Sequence, residues 1–404
     1  MLKEQEFKYQ RKELELKALL EITQAINENQ SESVLANIFK FTCLVHLELK
    51  ALLLYVLKDG AFERKISHGV KSKVPLTLAL DQVKDQKASG QLSIQLEEGY
   101  SFEELGTYLP VYHKDKMLAI LFLRRKDATE NLDLDFTQAL TNILVVALEN
   151  KRFARKQLEQ EVLNREVAIA SQVQQMLFPA SLPNNGSIKA KVTYFPHSLV
   201  GGDYYDLVQK NREKTYFCIA DVSGKGIAAA LLMSNFQAAL RTLLRSNASL
   251  ETIVKQLNYT LFENTKGERF ITFFLGEYDS KTKMLRYVNA GHNPPILCYE
   301  DAKESELLEA GTTILGAFED LPFLEIGTRS GLEEFTIHLY TDGLTESLNP
   351  EEEEFGDERF RKFVDNHLCV DPDEFHVEFF QMMTGFTQNQ PLRDDLTLLS
   401  LRFS

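Results

Sequence analysis

No apolar run in this sequence of 404 residues approaches the ~20 needed to span a bilayer. Runs such as Ile143–Leu148 are far too short. The start is equally unlike a secretory signal, because Met1–Lys17 is dominated by Lys, Glu and Gln. A cytoplasmic chain with no membrane partner is the expectation. Positive charge is in short supply: 45 Lys and Arg stand against 59 Asp and Glu, a net charge of −14. Nucleic acid, whose phosphates demand concentrated Lys and Arg, is therefore an unsuitable partner. Cysteine is sparse. Cys43, Cys218, Cys298 and Cys369 lie far apart with no CxxC or CxxH spacing, which fits reduced core thiols better than disulfides or a zinc site. No internal repeat is visible.

What is present is the composition of a folded protein, 44% hydrophobic and 26% charged, long enough for two domains. Leu16–Phe41 carries apolar residues at helical spacing. From Ala51 to Leu123 the texture is strand-like, as in Ala51–Leu57, Leu92–Leu96 and Met117–Leu123, and a second helix begins near Leu134–Phe136. Helix, mixed sheet, helix makes a small α+β domain. Glu149–Leu177 lacks Gly and Pro, and Leu158, Val162, Ile169, Val173 and Met176 recur in steps of three and four, with Arg165 where another apolar residue would be expected. That spacing suits either a parallel dimeric coiled coil or one amphipathic helix packed on its own domain. Phe178-Pro179 and Pro183–Gly186 break it. Beyond Ile188, seven strand-like runs outnumber two helical stretches, Ile227–Leu244 and Leu250–Asn264, which suggests a β-sandwich flanked by helices.

The aspartates fall at the ends of those strands. Asp203 follows Gly201-Gly202 and precedes Tyr204–Gln209; Asp221 closes Tyr216–Ala220 and opens a Gly-Lys-Gly loop. Asp342 sits just past Ile337–Tyr340, and Asp394-Asp395 directly precede the last strand. Strand ends of a sandwich converge at one rim, and carboxylates gathered there repel each other unless hard cations neutralise them. Magnesium or manganese suits such an oxygen set better than zinc. Any single one of these aspartates is ordinary turn chemistry. Pattern alone reaches an acidic metal site suited to phosphoryl transfer, and stops there.

The motifs Val200–Asp206, Ile219–Gly226, Tyr287–Pro295, Leu339–Glu346 and Arg393–Leu398, in that order, resemble the PPM-type metal-dependent protein phosphatases, specifically the SpoIIE/RsbU branch. The resemblance implies an α-β-β-α sandwich over residues 188–404 and two manganese or magnesium ions activating a water. It implies Asp221 and Asp203 as catalytic metal ligands, with the Val222 carbonyl, Asp342 and Asp394 completing the set. Asp206, Gly343, Asp395 and Lys225 are expected in support, Asp395 as the weaker of its pair and Lys225 as an attractor of the phosphorylated partner. His292 reads as a structural turn residue, and Gly224-Lys225-Gly226 lacks the frame of a nucleotide phosphate loop. The acidic run Glu351–Glu354 reads as a solvated loop.

Residues 1–150 resemble a GAF sensor, with a PAS-like sensor as the alternative, and no residue set in it points to a cyclic nucleotide, haem or bilin. Its ligand is unspecified. Residues 151–187 read as a linker coiled-coil helix that forms a homodimer, and Ile169–Pro179 resembles the helix that transmits a signal to this catalytic domain. The implied substrate is a phosphorylated protein, a STAS-type anti-sigma-factor antagonist. A degenerate phosphatase that only binds a partner is the competing reading; it predicts lost carboxylates, and all are present.

Overall fold

The computed structural model describes residues 2–79, 100–102, 105–113, 116–126, 133–299 and 304–404. The chain divides into two compact units, Met1–Glu161 and Val162–Ser404. In the first, helices α1 (Leu2–Asn27) and α2 (Glu32–Val45) precede strands β1 (Leu49–Lys58), β2 (Ala61–His68), β3 (Thr77–Ala79), β4 (Thr107–His113) and β5 (Lys116–Arg125). Helix α3 (Leu134–Gln175) follows and runs unbroken through the expected boundary near residue 150. The strands form one antiparallel sheet in the order β3-β2-β1-β5-β4.

Strand alternation decides what each face of that sheet touches. Leu52 and Leu54 of β1, with Leu121 and Leu123 of β5, share a core with Ile22, Phe39 and Leu140 of the three helices. Leu53, Tyr55, Ile120 and Phe122 lie on the other face with Phe62 and Phe102. The helical spacing over Leu16–Phe41 is realised as two helices rather than one. Ser31 interrupts it and caps α2, its hydroxyl accepting from Val34 N at 3.3 Å. The expected strand Leu92–Leu96 lies outside the described residues.

The second unit holds two facing sheets. Strands β6 (Ile188–Phe195), β7 (Tyr204–Gln209) and β8 (Lys214–Val222) lead into helices α4 (Ile227–Arg245) and α5 (Leu250–Thr265). Next come β9 (Ile271–Asp279), β10 (Met284–Ala290), β11 (Ile296–Tyr299), β12 (Glu306–Leu307), β13 (Gly311–Thr312), β14 (Gly327–Ser330) and β15 (Phe335–Tyr340). The one-turn helix α6 (Asp342–Thr345), α7 (Asp357–Asn366), α8 (Pro372–Thr387) and β16 (Leu396–Phe403) complete the chain. One sheet runs β13-β10-β9-β8-β7, with β14 also on β10; the other runs β12-β11-β15-β16-β6.

Period-two alternation builds the layers. Phe217 and Ile219 of β8 and Phe274 of β9 meet Phe335, Ile337 and Phe403 between the sheets. Tyr216, Cys218 and Ala220 face the other way, onto Phe236, Leu240 and Ile253 of α4 and α5. On the far side, Tyr340 and Leu398 pack with Phe360 and Phe379 of α7 and α8. The result is helix, sheet, sheet, helix. Helix α4 is long and apolar enough to cross a membrane by composition, but Ala229, Met233, Phe236 and Leu240 belong to this core.

A chain of buried polar groups ties α8 to its sheet. The Ser400 hydroxyl bonds His338 Nδ1 at 2.8 Å and His376 Nε2 at 2.9 Å, and His376 Nδ1 meets Thr193 Oγ1 at 2.8 Å. Burial pushes both imidazoles from 6.5 down to about 3; their mutual repulsion adds to this at His338, while at His376 Lys191 adds and Asp373 opposes. The unfolded chain therefore takes up protons first. The stability these histidines contribute is fully present above pH 6.5 and is lost as pH falls from there towards 3. The denaturant midpoint of the second unit should fall steadily over that window. Replacing both histidines by Gln should flatten the profile, as urea titration at a series of pH values would record.

Candidate metal centre

Strand pairing delivers the aspartates to one rim. The β7–β8 register pairs Tyr204 with Ala220, so Asp203 and Asp221, one step further, stand side by side. Asp221 shares the parity of Phe217 and Ile219 and so points to the inter-sheet side. In the opposite sheet Tyr340 pairs with Leu398, and Thr341 N donates to Thr397 O at 3.1 Å. That ladder end carries Asp342 on one strand and Asp394-Asp395 on the other.

The charges feel one another. Burial first, then Asp221, raises the Asp203 carboxyl well above its usual range. Burial, then Asp342, Asp394 and Asp395 in turn, pushes Asp221 up to about 7, against a lowering pull from Lys225. Asp342 is raised by burial and by Asp394. The structure thus brings together Asp203, Asp221, Asp342, Asp394 and Asp395.

The carboxylates and the Val222 carbonyl suit a hard divalent ion, because all of them offer oxygen. A Cβ on Gly202 would lie 2.9 Å from the Val222 carbonyl oxygen and 3.3 Å from Asp221 Oδ1, so both oxygens crowd the space that only glycine leaves. Among the described residues no three or more His, Cys, Asp or Glu side chains are placed together closely enough to hold a metal ion as they stand. Protein donors hold several of the oxygens instead. Asp203 Oδ2 accepts from Thr341 Oγ1 at 2.8 Å and from Thr397 Oγ1.

The two members of the Asp394-Asp395 pair differ in what they hold. Asp395 accepts from His197 N at 2.8 Å, Gly202 N at 2.5 Å and Asp203 N at 3.5 Å. It braces the loop that presents Asp203, and a Cβ on Gly201 would collide with its carboxylate. Gly343 is equally constrained, since a Cβ there would run into the Asp395 backbone carbonyl. Asp394 is more open: Oδ1 accepts from Asp395 N at 2.8 Å, and Oδ2 pairs with Lys225 Nζ at 2.9 Å.

Asp206 is placed elsewhere in the chemistry. Arg241 of α4 grips it with Nε at 2.8 Å and Nη2 at 3.2 Å, and Tyr204 donates at 2.6 Å. His292 is buried in its turn: Nδ1 meets Thr272 Oγ1 at 2.8 Å, and its backbone N donates to Asn289 Oδ1 at 2.8 Å. Glu351–Glu354 are exposed.

Four residues at or behind the rim went unremarked in the sequence reading. Thr341 and Thr397 lie within the aspartate motifs and are findable there. Arg241 gave no local signal. Gln174, near the end of α3, lies in the Ile169–Pro179 stretch that resembles the signal-transmitting helix, without being singled out in it; its Nε2 donates to Gly201 O at 2.7 Å while Oε1 accepts from Gly201 N at 3.2 Å. Phe178, three residues beyond α3, packs on Tyr194, Tyr204 and Tyr205 at 5.4, 6.0 and 4.9 Å. Gln174 and Phe178 thus fall in the second unit although they precede residue 188.

Arg241→Met would leave Asp206 buried and unpaired, which costs about 3 kcal/mol. Urea unfolding should show that loss, while manganese binding to the folded protein should be unchanged.

Residues 211–404 match the model of the family described as Stage II sporulation protein E (SpoIIE). The match includes Asp221, Asp342, Asp394 and Asp395 and begins after Asp203. Phosphoserine phosphatase RsbU of Bacillus subtilis (strain 168) is 29% identical over 245 residues, covering 60% of this chain and 71% of that protein. Phosphoserine phosphatase RsbP of the same organism is 30% identical over 184 residues, 45% of this chain and 45% of that one. In fold, the SiaA-PP2C domain of Pseudomonas aeruginosa is similar, with a TM-score of 0.53 and 20% identity, covering 61% of this chain and 99% of that one. Residues 211–404 thus match the SpoIIE family model, and the phosphoserine phosphatases that the chain is similar to support a protein serine/threonine phosphatase.

Proposed function

We propose that this chain is a signal-regulated cytoplasmic phosphatase. It removes phosphate from serine or threonine of a partner protein of the STAS-type anti-sigma-factor antagonist class. The observation that carries the reading is the meeting of Asp203, Asp221, Asp342 and Asp394, from the ends of two facing sheets, at one rim. Asp221, Asp203, the Val222 carbonyl, Asp342 and Asp394 are the residues to hold two manganese or magnesium ions. Bound there, such ions supply a nucleophilic water and neutralise charge on the phosphoryl oxygens.

The protein's own groups hold that arrangement. Thr341 and Thr397 fix the orientation of Asp203, and Asp395 fixes the backbone of Gly202 and Asp203. Lys225 adds positive charge at the rim. The proposed test is phosphate release from a phosphoserine-bearing STAS domain in the presence of manganese. Asp221→Asn should abolish it in a protein that still folds; persistence of the activity overturns the assignment of Asp221.

Residues 1–150 are proposed as a GAF-like sensor for a ligand of unspecified class, and α3 as the route from it to the site. Support comes from Gln174, which holds both polar groups of Gly201, two residues from Asp203. Gln174→Leu keeps helix propensity and loses both bonds. It should weaken manganese binding roughly 10–100-fold, the usual scale for a residue that orients a metal ligand, measured as the manganese concentration giving half-maximal rate. A homodimer through α3 is supported by the exposure of Leu158, Val162, Ile169, Val173 and Met176, between 52% and 78%. The same residues carry the spacing that a coiled-coil seam would need.

A further inference from the structure

Lys225 lies against Asp394, one of the carboxylates proposed above as a metal ligand. Its Nζ lies 2.9 Å from Asp394 Oδ2 and donates to the Arg393 carbonyl as well. Its charge also reaches Asp221 and Asp342, favouring the ionised form of each. The lysine side chain is 52% exposed and the Asp394 side chain 32%, so solvent and ions have access to the pair.

The loop that carries Lys225 is fixed at its base, and the long lysine side chain is half-exposed. Ser223 N donates to Phe270 O at 2.9 Å, Phe270 N donates to Ser223 Oγ at 2.9 Å, and Arg269 Nη1 donates to Ser223 O at 2.9 Å. On either side of Lys225, Gly224 and Gly226 have φ of +95° and +73°, conformations that glycine adopts without strain. A Cβ on Gly226 would meet only open space. The ammonium can therefore leave Asp394 without moving Asp221.

We propose that Lys225 is an internal competitor for the divalent ion at Asp394. The inference rests on the metal-centre reading above. An ammonium and a hard divalent ion both seek the same carboxylate oxygen, and the two cations repel each other at that distance. Lys225 thereby sets the metal concentration at which the carboxylate rim becomes a loaded site. It also neutralises part of the rim below that concentration.

Manganese binding to the full chain, followed by calorimetry, tests this. Lys225→Met and Lys225→Gln both remove the ammonium. Each should bind manganese about tenfold more tightly, the scale of repulsion between a single and a double charge roughly 6 Å apart in water. Lys225→Arg keeps the charge and should keep the original affinity. In the presence of a chelator, Lys225→Met should unfold at lower urea than the unaltered chain, and with saturating manganese the order should reverse; a purely structural lysine gives no reversal. Equal or weaker manganese binding by both neutral variants, in a chain that otherwise binds it, overturns the proposal. Failure of the unaltered chain to take up manganese overturns the metal-centre reading itself.

Discussion

Mutual repulsion among carboxylates at a half-buried rim is the constraint around which the second unit is built. Two such charges about 5 Å apart, at an effective dielectric constant of about 20, oppose each other by about 3 kcal/mol. Repulsion of this kind raises the carboxyls of Asp203, Asp221 and Asp342, through Asp221, Asp342, Asp394 and Asp395. A flexible loop would relieve the repulsion by splaying apart. These carboxylates lie within two residues of a strand end, each continuous with a ladder whose side chains are locked between the sheets. Phe335 and Phe403 stack at 4.7 Å, and Tyr278 meets both edge-on at 4.9 and 4.8 Å. Fully burying one such apolar side chain contributes about 1.5–3 kcal/mol. Several of them hold the strand ends against the repulsion.

Close approach requires more than strands. Gly201, Gly202 and Gly343 are each pressed against Asp395, Asp221 or Val222 so tightly that a Cβ would displace a carboxylate or a backbone carbonyl. These glycines explain how neighbouring aspartates come to different uses. Asp395 turns inward to three backbone N–H groups and becomes a brace. Asp394, one residue earlier, is left with one oxygen on its neighbour's N–H and the other on a lysine. Identical side chains are divided into support and candidate ligand by which donors the adjacent loop supplies.

The legibility of this arrangement follows its range in sequence. Asp221 and Asp342 were readable because strand alternation and a terminal aspartate lie within a few residues of each other. The sandwich was readable from the same alternation, since Phe217 and Ile219 face one layer and Cys218 and Ala220 the other. Helices α7 and α8 were not singled out. They are short, rich in aromatics and preceded by an acidic loop, and their helical character depends on packing Phe360, Phe375 and Phe379 against the outer sheet face. Asp206 was expected in support because its motif places it there; the fold adds Arg241 as its partner. The N-terminal helical spacing was legible as helix, but the break at Ser31 depends on a cap, which spacing does not reveal.

Gln174 shows how a helix contact can reach the rim, and how far. Its two hydrogen bonds hold Gly201, whose neighbour Gly202 donates to Asp395, whose carboxylate also reaches Asp203 N. A typical hydrogen bond contributes about 1 kcal/mol net. Two of them can therefore bias a two-state equilibrium by about 2 kcal/mol, roughly thirtyfold in population. A wider range of control needs more surface. Phe178 offers it, because its ring lies on Tyr194, Tyr204 and Tyr205, and Tyr204 opens the strand that Asp203 precedes. A displacement of the α3 end that freed Phe178 as well as Gln174 would act on both sheets at once, through β6 and β7. Polar contact ties the α3 end to the Asp203 loop, and aromatic contact just beyond it reaches one strand of each sheet.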